Sequence, residues 1–279
     1  MKVLVTGAGG QVGTELLQAF PGHEVVGFGR ADLDVGDREA VHATVAAESP
    51  DAIVHAAAWT AVDACEADPD RALQVNALGT RFVVEAARQV GARVTYLSTD
   101  YVFDGTKATP YDEWDPPSPR SVYGHSKRGG ELELGPEDTA IRTSWVCGRY
   151  GANMVGTILR LAAQPGTLRF VDDQRGHPTF ADDLAAMIAR LVTDRRQGLF
   201  HVTNQGAVSW YEFARAVLVA AGDDPARVEP IATRDLDPPR PAPRPANSVL
   251  DNAALRLSGI PLLDHHEVAL RRLVGHLVA

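Results

Sequence analysis

The sequence predicts an α/β fold in which a doubly wound parallel sheet carries a smaller C-terminal lobe. Short apolar runs alternate with longer stretches of helical periodicity through the first half of the chain, and a glycine-rich turn follows the first apolar run. Such runs are typical of parallel strands that are buried on both faces. Right-handed crossovers between these strands would generate the doubly wound sheet.

The elements of the first half follow in order. The predicted strands are the runs KVLVTG, EVVGFG, AIVHAAA, VTYLST and TAIRTSWV. Helical patterns over residues 13–20 and 72–90 lie between them. This is the repeating βαβ pattern of a parallel sheet.

The pattern changes after Val146, where glycines at 148 and 151 interrupt it. The next predicted elements are a helix over 154–163, a strand over 168–171, and helices over 180–193 and 209–221 with the apolar run LFHVTN between them. Residues 238–247 contain five prolines, which fix φ and remove backbone donors, so we expect an ordered or partly ordered loop there. The chain is therefore expected to leave the main sheet near residue 148.

Composition limits the kinds of partner. The formal net charge of −9 over 279 residues argues against binding to duplex nucleic acid, which requires a basic surface. The sequence has neither a signal-peptide pattern nor an apolar run long enough to cross a bilayer. Cys65 and Cys147 match neither a disulfide framework nor a zinc site and are expected to be packing residues. We expect a cytoplasmic protein without a membrane partner.

The turn after the first strand has the spacing of a dinucleotide-binding loop. Gly7, Gly10 and Gly13 form G-x-x-G-x-x-G between a strand and a helix. Glycine permits a tight turn, lets backbone N–H groups approach a pyrophosphate, and lets the helix pack on the strand. The pattern favours a Rossmann-type fold with a bound dinucleotide, and the alternative is a turn that binds nothing.

The end of the second predicted strand favours NADPH over NADH as the cofactor, although NADH stays possible. In dinucleotide folds an acidic residue there usually holds the ribose 2′-OH, but this strand ends in Gly29-Arg30. Arg30 could meet a 2′-phosphate or be a solvated surface cation. Asp34, which Val35 follows, could accept from the adenine amino group or cap a helix.

A tyrosine and a lysine are spaced for a shared task. Tyr123 and Lys127 lie four residues apart, which places them on one face of a helix. A nearby ammonium would lower the pKa of the phenol and suit it to proton transfer. Thr99, at the end of a predicted strand, supplies a third hydroxyl to polarise a carbonyl. An exposed helix pair is the alternative reading of Tyr123 and Lys127.

Together these segments resemble the dTDP-4-dehydrorhamnose reductase family of the extended short-chain dehydrogenase/reductase superfamily, over nearly the whole chain. The resemblance rests on the segments TGAGGQVG, AAAWTAVDACE, STDYVFDG, YGHSK, RTSWV, DQRGHPT and RPANSVL. It implies that residues 1–147 bind the dinucleotide and that residues 148–279 mainly form a substrate-binding lobe. Segments 172–200 and 232–250 are expected to return to the first domain.

The resemblance assigns roles to further residues. It implies that Thr99, Tyr123 and Lys127 are catalytic, and that Asp100 and Trp145 contact the sugar, with core packing as the alternative for Trp145. Asn153 and Arg244 become candidates for the substrate diphosphate, since the arginine fork donates to two oxygens; a solvated cation on the proline-rich loop is the alternative for Arg244. The residues implied to line the cofactor, besides Gly7, Arg30, Asp34, Val35, Tyr123 and Lys127, are Gly10, Gln11, Val12, Gly13, Ala58, Trp59 and Thr60.

The expected reaction is reduction of the C4 ketone of a dTDP-linked deoxysugar, most simply dTDP-4-dehydro-L-rhamnose, by a monomer or homodimer. Related dehydratases carry an acid where this chain has Tyr101, which disfavours dehydration. The alternatives are another 4-ketoreductase, such as a dihydrostreptose synthase, and a non-catalytic NADP-binding regulatory subunit. No metal is assigned, because His265, His266 and the acidic pairs at 172–173 and 182–183 are read as surface or helix-start residues.

Overall fold

Six parallel strands form the central sheet of the computed structural model, which describes residues 1–277. The strands of these residues are β1 (Lys2–Thr6), β2 (Glu24–Phe28), β3 (Ala52–His55), β4 (Arg93–Thr99), β5 (Thr139–Thr143), β6 (Val146–Cys147), β7 (Leu168–Val171), β8 (Arg175–Gly176), β9 (Thr179–Phe180), β10 (Gly198–His201), β11 (Val208–Ser209) and β12 (Val228–Ile231). The sheet has the order β2-β1-β3-β4-β5-β10. The prediction of a doubly wound parallel sheet is therefore confirmed.

Helices cover both faces of this sheet and build the second lobe. They are α1 (Gln11–Leu16), α2 (Arg38–Glu48), α3 (Val62–Ala67), α4 (Pro69–Leu73), α5 (Gly79–Val90), α6 (Val122–Glu131), α7 (Met154–Ala162), α8 (Ala181–Thr193), α9 (Trp210–Ala220), α10 (Ala253–Leu257) and α11 (His266–Leu277). A π-helical turn, Gln74–Leu78, joins α4 to α5. Short 3₁₀ turns lie at Asp100–Val102, Pro225–Arg227 and Thr233–Asp235.

Two of the predicted elements differ most clearly from the structure. The run TAIRTSWV was expected to be one strand, but β5 ends at Thr143 and Trp145 has a positive φ of 47°, which breaks the strand before β6. The first helix begins at Gln11 rather than Gly13 and ends at Leu16 rather than Phe20. It ends early because Gln18 and Ala19 form tighter backbone bonds to Glu15 and Leu16 ahead of a proline.

Three apolar clusters hold the layers together. One joins the sheet to α1 and α8, and a second joins the opposite face to α2 and α5. The third packs α7, α9 and α11 against β7 and β12 in the second lobe. The chain therefore returns to the central sheet after β9. Helix α8 packs against α1, and β10 pairs with β5 as an edge strand of the sheet.

The proline-rich loop at 238–247 contains no helix or strand and is tied to both halves of the molecule. Arg175 donates its backbone N–H to Ala246, and Asn247 donates to the carbonyl of Gly105. Both cysteines are buried and form no disulfide, as predicted. Within residues 1–277 no helix is long and apolar enough to span a membrane.

Candidate active site

The candidate site lies at the carboxyl edge of the sheet, where the chain order of the strands reverses between β1 and β3. In open parallel sheets this position forms a crevice that binds ligands. Gly7 follows β1 and Ala56–Thr60 follow β3, while Thr99 and Thr143 end β4 and β5. Backbone and side-chain groups from four neighbouring strands therefore meet at one edge.

Two adjoining cavities share the glycine loop. The outer cavity, of about 350 Å³, is lined by the predicted residues Gly7, Gly10, Arg30, Asp34, Val35, Ala58 and Trp59, with Leu33, Arg71 and Val75 among its other walls. The inner cavity, of about 220 Å³, is lined by the predicted residues Gly7, Gly10, Gln11, Val12, Gly13, Ala58, Thr60, Tyr123 and Lys127. All the predicted cofactor residues thus line one continuous groove.

Two arginines, Arg30 and Arg71, line the outer cavity together with Asp34. Arg30 lies past the end of β2, and the guanidinium of Arg71 lies 4.6 Å from the centroid of the Trp59 ring. Neither arginine forms an ion pair within residues 1–277. Asp34 does not cap a helix: its Oδ1 accepts the Gly36 N–H at 2.9 Å, and Asp37 caps α2 instead.

The glycine loop can turn this tightly only because Gly7 and Gly13 lack side chains. Gly7 has φ +70°, and a Cβ there would lie 2.6 Å from the backbone nitrogen of Ala57. A Cβ at Gly13 would lie 2.1 Å from the Gly7 carbonyl oxygen. Larger residues at either position would close the turn or push α1 away from β1. The groove therefore fits a dinucleotide, whose pyrophosphate would lie against this loop.

Tyr123 is buried in the inner cavity and keeps its proton. Burial raises the pKa of its phenol above the usual value, while a hydrogen bond with Thr99 opposes that rise. The spacing of Tyr123 and Lys127 predicts that the ammonium lowers the pKa of the phenol. In the free protein, the cost of burying a phenolate outweighs this effect. The Tyr101 ring packs edge-on against Tyr123, with centroids 5.6 Å apart. Tyr123 is thus held as a neutral proton donor.

Lys127 lies one helical turn after Tyr123, on the same face of α6. Lys127 is only 2% exposed, and burial lowers the pKa of its ammonium to about 7. Helix α6 begins at Val122, because the Ser121 side chain accepts the Gly124 N–H and so satisfies one of the unpaired donors of the first turn. The ammonium of Lys127 therefore loses its proton, and with it its charge, close to neutral pH.

Thr99 and Asp100 form a bonded pair beside the tyrosine. The Thr99 hydroxyl donates to Oδ1 of Asp100 at 2.9 Å, and it accepts the Tyr101 N–H at 3.2 Å. Burial raises the pKa of Asp100 to about 6. Its Oδ2 has no hydrogen-bond donor within residues 1–277. A buried acceptor of this kind suits a ligand hydroxyl.

A family whose description is RmlD substrate binding domain matches residues 1–278. The chain belongs to this family. The family membership and the reductases among the relatives confirm the prediction of an oxidoreductase of the dTDP-4-dehydrorhamnose reductase type.

Relatives in the family agree over nearly the full length. A dTDP-4-dehydrorhamnose reductase of Streptomyces griseus is 43% identical over 96% of this chain and 91% of its own. A dTDP-4-keto-6-deoxy-D-glucose reductase of Streptomyces niveus is 40% identical over 96% of this chain and 94% of its own.

Solved structures agree as well. A dTDP-4-dehydrorhamnose reductase from Clostridium acetobutylicum superposes with a TM-score of 0.96 at 37% identity, covering 100% of both chains. The enzyme from Bacillus anthracis, solved in complex with NADP, gives 0.93 at 36% identity and 98% coverage of both.

None of the five residues that the family resemblance assigned to the substrate lines either cavity; besides Thr99 and Asp100, these are Trp145, Asn153 and Arg244. Trp145 stacks on Trp210 with ring centroids 3.6 Å apart. Asn153 caps α7 by accepting the Gly156 N–H, and its amide donates to the Gly148 carbonyl at 2.7 Å. Arg244 forms a two-pronged ion pair with Asp63. Each side chain already has a partner in the free protein.

Sequence reasoning missed several residues near the site, Arg71, Thr143 and Trp210 among them. Arg71 lines the outer cavity, and Thr143 lines the inner one with a buried hydroxyl that has no partner within the described residues. Trp210 covers one face of Trp145. Thr143 could have been found from its position at the end of a predicted strand, whereas a helical arginine and a distant tryptophan carry no local signal.

His266 is the first residue of α11, so of the two readings given for the histidines it is a helix-start residue rather than a surface group. His266 is 2% exposed, and its ring packs against Phe213 because it begins α11 at the lobe core. The possible ligand atoms of His265, His266 and Glu267 lie within 4.8 Å of one another. Asp182 and Asp183 lie in the first turn of α8, as expected. The assignment of no metal stays a prediction.

Proposed function

We propose that this chain uses NADPH to reduce the C4 ketone of a dTDP-linked 4-dehydro-6-deoxy sugar, converting dTDP-4-dehydro-L-rhamnose to dTDP-L-rhamnose. The observation that carries the proposal is that Tyr123 and Lys127 line the same cavity as the glycine loop. A proton donor therefore lies where a nicotinamide bound along that loop would end. The reductases among the relatives support the substrate class.

Two arginines support NADPH as the preferred cofactor, with NADH as a possible substitute. Arg30 and Arg71 line the outer cavity without a carboxylate partner among residues 1–277. A 2′-phosphate would supply the missing anion, and guanidinium groups bind phosphate well. The NADP complex of the Bacillus anthracis relative is consistent with this choice.

The bound cofactor would supply a hydride to C4, and the protein would supply the proton. Tyr123 holds its proton on the phenol because burial raises its pKa, so it can donate to the oxygen that forms at C4. The Thr99 hydroxyl lies beside it and would polarise the same oxygen by turning its proton from Asp100 to the sugar. The buried position of both groups excludes water from the proton transfer.

Lys127 would act on the tyrosine and on the cofactor ribose. Its ammonium favours the phenolate that remains after the proton leaves, since an opposite charge stabilises an anion in a poorly solvated site. Because the lysine pKa is about 7, this help declines as the pH rises above neutrality. The alkaline limb of the activity profile is assigned to Lys127.

The sugar and its diphosphate would be held by the substrate lobe, which we place mainly in residues 148–279. Asp100 offers its free Oδ2 to a sugar hydroxyl, and Trp145 offers a ring face. Arg244 would reach the diphosphate, with Asn153 nearby. Since Asp63 neutralises Arg244 in the free protein, the diphosphate must share or displace that carboxylate.

The main alternative is a different 4-ketosugar, because one relative is named for dTDP-4-keto-6-deoxy-D-glucose. The test supplies each ketosugar separately with NADPH and identifies the product by NMR. Oxidation of NADPH with dTDP-L-rhamnose as product is the expected result. Turnover of only the other sugar would identify that sugar as the substrate. Tight cofactor binding without any turnover would favour the regulatory alternative.

A further inference from the structure

The ammonium of Lys127 is held in the groove without a carboxylate partner. Within residues 1–277 it forms no ion pair, and its nitrogen lies 4.2 Å from the centroid of the Tyr96 ring. Tyr96 is fully buried in β4, directly beneath α6. A ring face this close attracts a cation, and the attraction is larger where water is excluded.

Tyr96 is fixed so that its ring cannot turn away. Its hydroxyl donates to the carbonyls of Lys127 at 3.2 Å and Asn76 at 3.3 Å, so the same side chain contacts both the backbone and the ammonium of the lysine. A Cβ at Gly130 would lie 2.3 Å from the Tyr96 hydroxyl oxygen. The glycine at this position allows α6 to approach the tyrosine.

One fixed negative charge lies further along the helix. Glu131 accepts both prongs of Arg142, the Ser98 hydroxyl at 2.6 Å and a bond from Arg128. Burial opposes its ionisation, but these donors hold the pKa of Glu131 below its usual value. The carboxylate raises the pKa of Lys127 from a distance, and the arginines bound to it reduce that help.

The other groups around the lysine add no negative charge. His55, on β3, stacks on the ring of Tyr96 with centroids 5.7 Å apart. Burial, with a contribution from Lys127, lowers the pKa of His55 to about 3, so it stays neutral. Tyr123 on α6 also stays neutral, and Arg142 on β5 is positive. Among these groups, the ring of Tyr96 lies against the ammonium and favours its charged form.

We propose that Tyr96 is a positioning residue whose ring face holds the Lys127 side chain charged and in place within the groove. The inference deepens the proposed function, because the lysine is useful to Tyr123 only as an ammonium. It can be tested on the free protein, without substrate or cofactor, so it does not depend on turnover.

The test measures the titration of Lys127 directly by NMR. The chain has only three lysines, Lys2, Lys107 and Lys127, so protein labelled with ¹³C-lysine gives few signals, and Lys127→Arg assigns the one of interest. Tyr96→Leu removes the ring, and Tyr96→Phe is the matched control that removes only the hydroxyl. We expect the midpoint to fall by about one pH unit in Tyr96→Leu and to change little in Tyr96→Phe.

An unchanged midpoint in Tyr96→Leu, or an equal fall in Tyr96→Phe, would overturn the proposal. If Tyr96→Leu does not fold, Tyr96→Met replaces it, since methionine fills similar space without a ring. A second readout is the pH profile of turnover, whose alkaline limb should move to lower pH in the ring-less variant only. A shifted NMR midpoint with no turnover by wild-type protein would contradict the proposed function and leave this inference standing.

Discussion

At the scale of single residues, the buried phenol of Tyr123 carries the proposed chemistry. Replacing Tyr123 with Phe should reduce kcat by about 100- to 10,000-fold, the usual contribution of a positioned acid, while the dissociation constant for NADPH changes little. Steady-state kinetics and fluorescence titration measure the two quantities. Tyr150→Phe, at an exposed position, is the control and should retain wild-type kcat. Full activity of Tyr123→Phe would remove the phenol from the mechanism.

Arg30 should decide between the two nicotinamide cofactors. Arg30→Ala should weaken NADPH binding by about 10-fold or more, because a charge-assisted bond to a phosphate is lost, and should leave NADH binding nearly unchanged. Calorimetric titration with each cofactor measures the difference. Arg169→Ala, at an exposed position on β7, is the control. Equal weakening of both cofactors would show that Arg30 does not contact the 2′-phosphate.

Single residues also show what the sequence could and could not reveal. Gly7, Tyr123 and Lys127 were found because their spacing has a direct geometric meaning on a turn or a helix. Arg71 and Tyr96 were missed because their importance depends on which elements pack together. The rise in the pKa of Tyr123 that burial causes was also missed, since burial cannot be read from the four-residue spacing to Lys127; the lowering expected from Lys127 together with a bound nicotinamide stays a prediction.

At the scale of elements, Asp63 links α3 to the proline-rich loop at 238–247. Its carboxylate binds Arg244 and accepts the Ala242 N–H at 3.1 Å. Asp63→Asn should weaken this link, so hydrogen exchange at the Ala242 amide should become about 10-fold faster. Exchange followed by NMR measures it, with Asp70→Asn on α4 as the control. Unchanged protection in Asp63→Asn would mean that the loop is held by its other contacts.

The elements themselves were predictable to different degrees. The five strands of the first half and most helices were found because their apolar periodicity is strong. The break at Ser144 and Trp145 was not, because both lie in an apolar run and only the pairing of β6 with β9 takes the chain out of the sheet. The partner of Trp145 lies in α9, 65 residues away, beyond any local pattern.

At the scale of the whole molecule, buried histidines should make stability sensitive to acid. Burial lowers the pKa of His55 and His201 to about 3 and of His177 to about 4. The unfolded chain binds these protons near its ordinary pKa and the folded chain does not, so stability is lost as the pH falls from the unfolded value towards 4. Each histidine costs roughly 1 to 2 kcal/mol per pH unit in that window.

Asp100 has the opposite effect on stability and offsets the effect of one histidine. Its raised pKa of about 6 lets the folded chain bind a proton at a higher pH than the unfolded chain does. Urea unfolding at several pH values measures the sum. The expected result is a falling free energy of unfolding with a net uptake of about two protons on unfolding near pH 5. A flat profile would show that the histidines titrate normally in the folded protein.

The most direct test of the whole account follows the hydride itself. The chain is incubated with NADPH that carries two deuterium atoms at the reactive carbon of the nicotinamide and with dTDP-4-dehydro-L-rhamnose generated in situ, and the product is examined by NMR. The account predicts dTDP-L-rhamnose with deuterium at C4 of the sugar. Deuterium at another carbon, or a sugar product without deuterium, would contradict it.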